Sequence, residues 1–330
     1  MRTFSHPGYK RFLLSVGCLL SIHFTALFFL TLFRLVFFFS ANYDFPDQEH
    51  VVFMSIWPAF IRGVWFDNVI ACYILLIPLV AVSISALFNY YGKILWNVTC
   101  IFFSLFYGIV LLVTAANIPY FQYFFKIINS SVFNWFGYMN TTAGMVFGET
   151  SYYPPLIGFL LTLVLFIWLM RRLIRHFQRL LNTKNPSVFW LDRIYIFLTA
   201  GICIGLCLFG IRGRTGYNPI KVSAAYYCTD PFLNQLGISP VFNLLSSTLD
   251  DSRKENRYLH LMPENEALEN TRHYLNRPGI EGISPIARQI NASDSLRRPN
   301  IVLIFMESMS AHLMKRFGQQ KELTPFLDSL

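Results

Sequence analysis

The stretch FLLSVGCLLSIHFTALFFLTLF, residues 12–33, contains no Asp, Glu, Lys or Arg, and its only titratable imidazole is His23. A helix that crosses the hydrocarbon core of a bilayer, about 30 Å thick, needs roughly 20 consecutive apolar residues. Backbone polar groups cannot stay unpaired in lipid, so the stretch is expected to be helical. It is too long for the core of a signal peptide, and no small-residue cleavage site follows it. We therefore predict a retained first transmembrane helix over about residues 12–40.

The remainder of the chain also has the composition of a membrane protein. Of its 330 residues, 54% are hydrophobic and only 14% are charged, whereas about 25% are charged in an average soluble protein. Residues 69–89, 94–116, 150–170 and 194–211 contain no charged side chain. These runs predict four further spans, over about residues 69–89, 94–116, 152–170 and 191–211. The predicted fold of residues 1–211 is thus an α-helical polytopic membrane domain with five transmembrane helices.

The basic residues predict the orientation of these helices, since cytoplasmic loops carry an excess of Lys and Arg. With the N-terminus inside, the predicted cytoplasmic segments hold Arg2, Lys10, Arg11, Lys93, Arg171, Arg172, Arg175, Arg179, Lys184 and Arg193. The two outer loops hold only Arg62 and Lys126, with Arg34 at the lip of the first span. Five spans then place the N-terminus in the cytoplasm and everything after residue 211 outside it.

The net charge of +9 follows from this topology and does not indicate a nucleic-acid-binding surface. Residues 212–330 hold 14 basic and 12 acidic side chains, so we expect no nucleic-acid partner. Only Cys228 lies outside the predicted spans, which excludes a disulfide framework. Cys203 and Cys207 share a helix face, and the packing of small side chains explains them better than a metal site does.

Two apolar segments lie in the predicted outer loops. VVFMSIWPAFIRGVWFDNV, residues 51–69, is interrupted by Pro58, Arg62 and Gly63, so we predict that it lies along the outer interface or dips into it. NIPYFQYFFKIINSSVFNWFGYMN, residues 117–140, is rich in Phe, Tyr and Trp and has one charge. Aromatic belts of this kind seat a protein at the interface; a surface for a lipid substrate is the alternative.

A juxtamembrane and helical connector is predicted over residues 212–295. Its first part mixes turn formers with aromatic residues, which suggests a chain lying against the outer membrane surface. Arg212, Arg214 and Lys221 would there either anchor the chain at the interface or hold lipid headgroup phosphates. From Asp250 onward the sequence is polar and rich in helix formers. Pro263 followed by two glutamates predicts a helix start, and residues 276–279 predict a stop.

The stretch RRPNIVLIFMESMSAHLMKRFG, residues 297–318, then begins a different kind of domain. A continuous apolar run such as 301–306 suits a parallel strand buried on both faces, and Met309 to Phe317 can form a helix after it. Ligands bind outside the carboxyl ends of strands in open α/β sheets, and Glu307 lies at that edge. The spacing leaves three roles open for Glu307, namely metal ligand, general base or helix-start acid.

RPNIVLIFMES followed by LTPFLDSL, after five predicted spans, resembles the lipoteichoic-acid-synthase-like phosphotransferases, which are membrane-anchored members of the alkaline phosphatase/sulfatase superfamily. The resemblance is specific over residues 298–330 and loose over 1–295. It implies that residues 296–330 are the first strand and helices of an extracytoplasmic α/β domain. Aspartates are usual at this strand end in sulfatases and alkaline phosphatases, so the Glu-Ser pair favours the phosphoglycerol- and phosphoethanolamine-transferring branches. LTPFLDSL favours the phosphoglycerol branch.

The resemblance also implies roles for individual residues. Glu307 matches the family's metal-ligating glutamate, and a carboxylate suits Mg²⁺ or Mn²⁺, while Zn²⁺ also accepts one. Thr324 and Pro325 match a helix start, with Thr324 as N-cap. The nucleophilic threonine of the family, and the Asp and His ligands that complete its metal site, lie beyond Leu330. His312 is expected to be a surface or half-buried histidine instead of a ligand.

The function implied by the resemblance is the transfer of a phosphoglycerol-type group, through a covalent phosphothreonine, at the outer face of a bacterial inner membrane. A membrane phospholipid would be the donor, and a glycan, a lipid or a polyol the acceptor. Two alternatives remain, a phosphoethanolamine transferase or sulfatase-like hydrolase of the same superfamily, and a non-enzymatic membrane scaffold with a vestigial domain. Because about thirty residues cannot form an independent core, we expect the 330 residues alone to be an inactive N-terminal part of a longer protein.

Overall fold

The structure is a computed structural model that describes residues 6–41, 49–181, 190–253, 261–275, 286–287, 300, 302–307 and 309–330. The chain divides into two compact units, residues 1–259 and residues 260–330.

Five long helices make up most of the first unit. They are α1 (Pro7–Ser40), α2 (Glu49–Leu87), α3 (Lys93–Phe124), α5 (Tyr153–Leu181) and α6 (Trp190–Arg212). All five are long and apolar enough to cross a membrane, α2 through its part Ile56–Leu87, which confirms the five predicted apolar helices. At 1.5 Å per residue, the 34 residues of α1 span about 51 Å. The helices are therefore longer than a hydrocarbon core, and they either tilt or extend beyond it.

Helix α2 differs from the prediction. The segment 51–69 does not form a separate interfacial piece but continues into the second span as one helix, with Pro58 and Pro78 inside it. Arg62 and Gly63, which were expected to interrupt the helix, instead make contacts across the bundle that are described below. Tertiary packing therefore overrides the low helix propensity of Gly63 and the cost of a charged Arg62 in an apolar helix.

Helix α1 forms the middle of the bundle and packs against α2, α5, α6 and α3. Helix α2 also packs against α6, and α3 against α5. The largest fully buried side chains are mostly aromatic: Trp96, Tyr107, Phe12, Phe66, Phe103, Phe166 and Phe232. The outer faces of α5 and α6 expose many large apolar side chains, as expected of helices that face lipid.

One end of the bundle gathers the basic residues that the sequence places in the cytoplasm. Arg11 Nη2 donates to the carbonyl oxygen of Leu181 at 2.7 Å, which ties the start of α1 to the end of α5. The Arg11 guanidinium lies 5.8 Å from the Tyr91 ring centroid, after α2. His6 Nδ1 and Asp192 Oδ1, before α1 and at the start of α6, are 2.8 Å apart. These contacts bring together the helix ends that carry the predicted positive-inside charges.

The other end of the bundle carries two additional layers. The segment after α3 comprises a 3-10 helix (Ser130–Tyr138) and α4 (Met139–Gly148); we call residues 130–148 the foot. The segment after α6, residues 213–252, comprises a 3-10 turn (Val222–Ala225), α7 (Pro231–Leu236) and α8 (Pro240–Ser252); we call it the cap. Phe232 of α7 packs 5.8 Å from Phe37 of α1 and 5.7 Å from Phe121 of α3 between ring centroids, so the cap is part of the apolar core.

The second unit contains α9 (Glu264–Tyr274), two 3-10 turns (Ala311–Leu313 and Lys315–Phe317) and α10 (Pro325–Ser329). Helix α9 begins directly after Pro263, as predicted, and it ends at Tyr274, just before the predicted stop, which lies outside the described residues. Helix α10 begins at Pro325 with Thr324 as its N-cap, also as predicted.

Two elements predicted in the second unit are not observed. Residues 302–307 carry no regular secondary structure, because a strand requires a neighbouring strand for its backbone groups and the described residues supply none. The helix predicted over Met309 to Phe317 is replaced by the two short 3-10 turns. Gly318, at φ +100°, ends the second turn in the left-handed region that favours glycine. The α/β domain therefore remains a prediction.

Candidate functional site

The predicted cationic residues lie in a tight loop after α6, at the cap end of the bundle. Arg212 Nη2 donates to the carbonyl oxygens of Gly216 and Tyr217, at 2.5 and 2.7 Å. Arg214 Nε donates to the carbonyl oxygen of Asn218 at 2.5 Å. Both guanidinium groups thus close the loop, while Arg212 stays exposed and Arg214 is half-buried. These hydrogen bonds give both side chains a structural role within the loop, and their predicted roles at the outer interface stay predictions.

The backbone of this loop is held against α2. Trp65 Nε1 donates to the carbonyl oxygen of Gly213 at 2.5 Å. Gly213 has φ +73°, and a Cβ atom there would lie 2.7 Å from Cγ2 of buried Ile220, so the position requires glycine. Lys221 follows Ile220 and is exposed. The three predicted cationic residues therefore lie on one short connection, which α2 positions.

A buried ion pair joins the first two helices near the same end. Arg34 of α1 and Asp67 of α2 are 4% and 2% exposed, and Arg34 Nη2 donates to Asp67 Oδ2 at 2.6 Å. Arg34 Nη1 also donates to the carbonyl oxygens of Leu236 and, at 3.0 Å, Ile238. One guanidinium thus connects α1, α2 and the cap. In the sequence, Arg34 was interpreted only as a charge near the end of the first span. A cation and an anion inside apolar helices are the signal that could have predicted the buried pair.

Two residues that were expected to interrupt segment 51–69, Arg62 and Gly63, lie next to the buried ion pair and the cap. A Cβ atom at Gly63 would lie 2.2 Å from Cζ of Arg34, so glycine makes room for the buried guanidinium. Arg62 Nε donates to the carbonyl oxygen of Ala224 at 3.3 Å, and its guanidinium lies 4.3 Å from the ring centroid of Tyr227. Burial raises the pKa of Tyr227, against the opposing effect of the Arg62 charge. Polar residues of α2 thus fix the cap and do not mark a break in the helix.

A second polar cluster lies inside the bundle, between α1, α2 and α6. His23 and Asn68 make a hydrogen bond of 3.0 Å between Nε2 and Oδ1. Cys72 Sγ donates to Asn68 Oδ1 at 3.8 Å, and Cys207 Sγ donates to the carbonyl oxygen of Cys72 at 3.3 Å. Cys207 therefore contacts α2. Hydrogen bonds of this kind add to helix association inside a membrane.

The described part of the chain contains no group of three or more His, Cys, Asp or Glu side chains arranged to hold a metal ion. Glu307 lies in an exposed turn after residues 302–306. His312 is likewise exposed. Its backbone N–H donates to Ser310 Oγ at 3.2 Å. Glu307 is thus an accessible carboxylate, and the described residues do not supply further ligands that would complete a metal centre around it.

Asp328 organises the last turns of the second unit. Its carboxylate accepts the backbone N–H groups of Lys315 and Arg316, at 3.1 and 3.2 Å, and the hydroxyl of Thr324 at 3.0 Å. Desolvation acts to raise the pKa of Asp328, but the backbone hydrogen bonds from Arg316 and Lys315 and the one from Thr324 outweigh it and lower the pKa. Thr324 is thus engaged as a structural side chain, in agreement with its predicted place at a helix start.

Comparison of the chain with family models, with curated proteins and with solved structures gives no match.

Proposed function

We propose that this chain is the membrane domain and the start of the exported domain of a metal-dependent phosphotransferase. It would move a phosphoglycerol-type group from a membrane phospholipid to a glycan, lipid or polyol acceptor outside the cytoplasm. The observation that carries the proposal is a pair of motifs after five apolar helices: Pro-Asn, an apolar run and Glu-Ser over 299–308, then Thr-Pro-Phe-Leu over 324–327.

The charge distribution supports an outer location for the cap and for everything after it. The ends of the helices near Arg11, Tyr91, Leu181 and Asp192 lie together, and these are the ends around which the basic residues accumulate. By the positive-inside rule this end faces the cytoplasm. The cap, at the other end, then faces the exterior of a bacterial inner membrane.

Glu307 supports the metal-dependent part of the proposal by its chemistry. Its carboxylate is exposed, and an anionic oxygen donor fits Mg²⁺, Mn²⁺ or Zn²⁺. A bound divalent ion would stabilise negative charge on a transferring phosphoryl group and would favour ionisation of a nearby hydroxyl. Glu307 would hold that ion as one ligand among several, and the remaining ligands and the nucleophilic threonine are proposed to lie beyond Leu330.

The apolar run before Glu307 supports the proposed α/β domain. Val302, Leu303, Ile304, Phe305 and Met306 are all exposed, and five consecutive exposed apolar side chains require a cover in water. A parallel sheet with helices on both faces would bury such a run completely. Glu307 would then lie at the carboxyl end of a central strand, where ligands of α/β sheets bind.

The test compares Glu307→Ala with Glu322→Ala, an exposed glutamate of the same segment, in the polypeptide of the complete reading frame. The protein in phosphatidylglycerol membranes with Mn²⁺ is expected to release diacylglycerol, and purified protein is assayed for bound metal. Loss of an outer-shell partner of a metal site costs about 10- to 100-fold in activity or affinity, so Glu307→Ala should lose at least that much. Glu322→Ala should be unaffected.

The same assay separates the alternatives. Release of diacylglycerol from phosphatidylethanolamine alone would indicate a phosphoethanolamine transferase, and hydrolysis of sulfate esters would indicate a sulfatase-like enzyme. A Glu307→Ala protein that keeps its metal and its full turnover would refute the role of Glu307 as ligand. A complete protein without turnover of any of these substrates would favour the scaffold alternative.

A further inference from the structure

The foot exposes large apolar side chains along its whole length. Neither its 3-10 helix nor α4 contains a buried residue. Phe136, Tyr138 and Phe147 are 61%, 73% and 69% exposed, and Trp135 and Met145 are exposed as well. Large apolar side chains that are exposed together mark a surface that something else covers.

The foot has little internal support that would stabilise it in water. The Thr142 hydroxyl contacts the carbonyl oxygens of Trp135 and Tyr138, at 3.2 and 3.1 Å, and α4 packs mainly against the short turns on either side of it. A ten-residue helix without a buried face is only marginally stable in water. The helical form of α4 therefore implies a surrounding that removes its apolar side chains from water.

The composition of the foot identifies the kind of surrounding. Residues 127–148 contain no charged side chain, while Lys126 and Glu149 flank them. The polar residues of the stretch are Asn, Ser and Thr, which are small and neutral. Phe, Tyr and Trp beside small polar groups are typical of the membrane–water interface, whereas the rim of a protein–protein interface in water usually carries charges.

The position of the foot continues the lipid-facing surface of the helices. Trp135 lies 5.7 Å from Tyr120 and 5.8 Å from Phe124, between ring centroids, at the end of α3. Tyr153, at the start of α5, donates its hydroxyl to the carbonyl oxygen of Phe147 at 2.8 Å. Both ends of the foot are thus held where two apolar helices begin or end.

The foot is also joined to the cap, which fixes its height on the bundle. The backbone N–H of Ser130 donates to Ser247 Oγ at 2.9 Å, and Ser130 Oγ donates to Asp251 Oδ2 at 2.5 Å. Asn243 Nδ2 donates to the carbonyl oxygen of Ile128 at 2.9 Å.

From its exposure, composition and position we propose that the foot is inserted in the headgroup–acyl boundary of the leaflet at the cap end, with bulk bilayer lipid as its partner. The apolar side chains of α4 contact acyl chains, and the Asn, Ser and Thr groups face the headgroups. The proposal is independent of the phosphotransfer activity, since it uses no residue assigned to that activity.

The test places the photoreactive amino acid benzoylphenylalanine at Phe136 or Phe147 of the full chain, in nanodiscs of phosphatidylethanolamine and phosphatidylglycerol. The control carries it at Tyr274, which is 93% exposed on the polar helix α9. After irradiation, mass spectrometry counts lipid adducts. Interfacial residues contact lipid continuously, so lipid adducts at 136 and 147 should exceed those at 274 by about fivefold or more.

The composition of the adducts decides between bulk lipid and other partners. Adducts that follow the lipid ratio of the nanodisc support the proposal. Enrichment of one lipid class would indicate a headgroup site instead and would overturn it. Adducts to a second copy, adducts to residues 260–330, or a lipid yield at 136 and 147 equal to that at 274 would overturn it as well.

Discussion

Replacing Asp67 by alanine removes the carboxylate partner of Arg34 and leaves its guanidinium charge buried without a counter-ion. The two side chains are 4% and 2% exposed, and the atoms that pair are 2.6 Å apart, so solvent cannot replace the lost partner. Removing one member of a buried ion pair costs about 3–5 kcal/mol. We expect Asp67→Ala to lower the free energy of unfolding by that amount.

The structure also predicts the relative stability of related variants. Asp67→Asn keeps an oxygen that can accept from Arg34 and should lose less than Asp67→Ala. Arg34→Met removes the donor to the carbonyl oxygens of Leu236 and Ile238, and each buried acceptor left unpaired costs about 1–3 kcal/mol. The double variant Arg34→Met with Asp67→Ala should therefore be less destabilised than the sum of the two single variants.

Unfolding in detergent can be followed by the reaction of newly exposed thiols with a fluorogenic maleimide, because Cys18, Cys72 and Cys207 are buried. Measured over a series of denaturant concentrations, this labelling gives the free energy of unfolding of each variant. The matched control is Arg253→Ala, which breaks an exposed pair of 3.6 Å with Asp250. Exposed pairs contribute about 0–1 kcal/mol.

An Asp67→Ala protein that unfolds like the Arg253→Ala protein would refute this reasoning. Additive losses in the double variant would show that Arg34 and Asp67 do not act as a pair. A rise in stability on replacing Asp67 would show that the cost of burying the Asp67 carboxylate exceeds its attraction to Arg34.

Two further predictions concern single positions. Alanine is a better helix former than glycine by about 0.5–1 kcal/mol, yet Gly63→Ala should destabilise the protein because its methyl group would displace the Arg34 guanidinium. The control is Gly201→Ala, where an added Cβ atom would meet no neighbouring atom within 4 Å, and it should be neutral or stabilising. Thermal unfolding compares the two variants. Asp328→Asn should speed amide hydrogen exchange in the two backbone N–H groups that the carboxylate accepts. Since the pKa of Asp328 is lowered in the folded chain, its contribution is present at neutral pH and is lost as pH falls through that pKa. Unchanged exchange in Asp328→Asn would contradict the assigned contacts.

Two helix starts were predicted correctly, that of α9 from local signals and that of α10 from the family resemblance. Pro263 with the glutamates after it starts α9, and Thr324 with Pro325 starts α10, because the first turn of a helix needs no donor from proline. The segment 51–69 was misinterpreted because, considered alone, a charged Arg62 is costly in a membrane helix and Gly63 is a poor helix former. Their partners, Ala224 and Arg34, are distant in sequence, and no local pattern reveals them.

At the candidate site, too, the sequence predicts residue types, whereas their arrangement depends on contacts that are distant in sequence. The resemblance around Glu307 implies a metal-binding chemistry, which stays a prediction. Assembly of a metal centre depends on side chains that a complete domain brings together. The foot was visible in the sequence only as an aromatic loop. That it has no buried residue, and that it continues the surface of α3, required the positions of its neighbours.

The sequence by itself determined the five apolar helices, because their length and lack of charge leave no other way to satisfy backbone hydrogen bonds in lipid. Only the tertiary structure decided what joins them. Arg34 binds a carboxylate 33 residues away and a carbonyl oxygen 202 residues away, and each buried charge needs such a partner. Hydrophobicity is a property of each segment, whereas the pairing of buried polar groups is a property of how the segments pack.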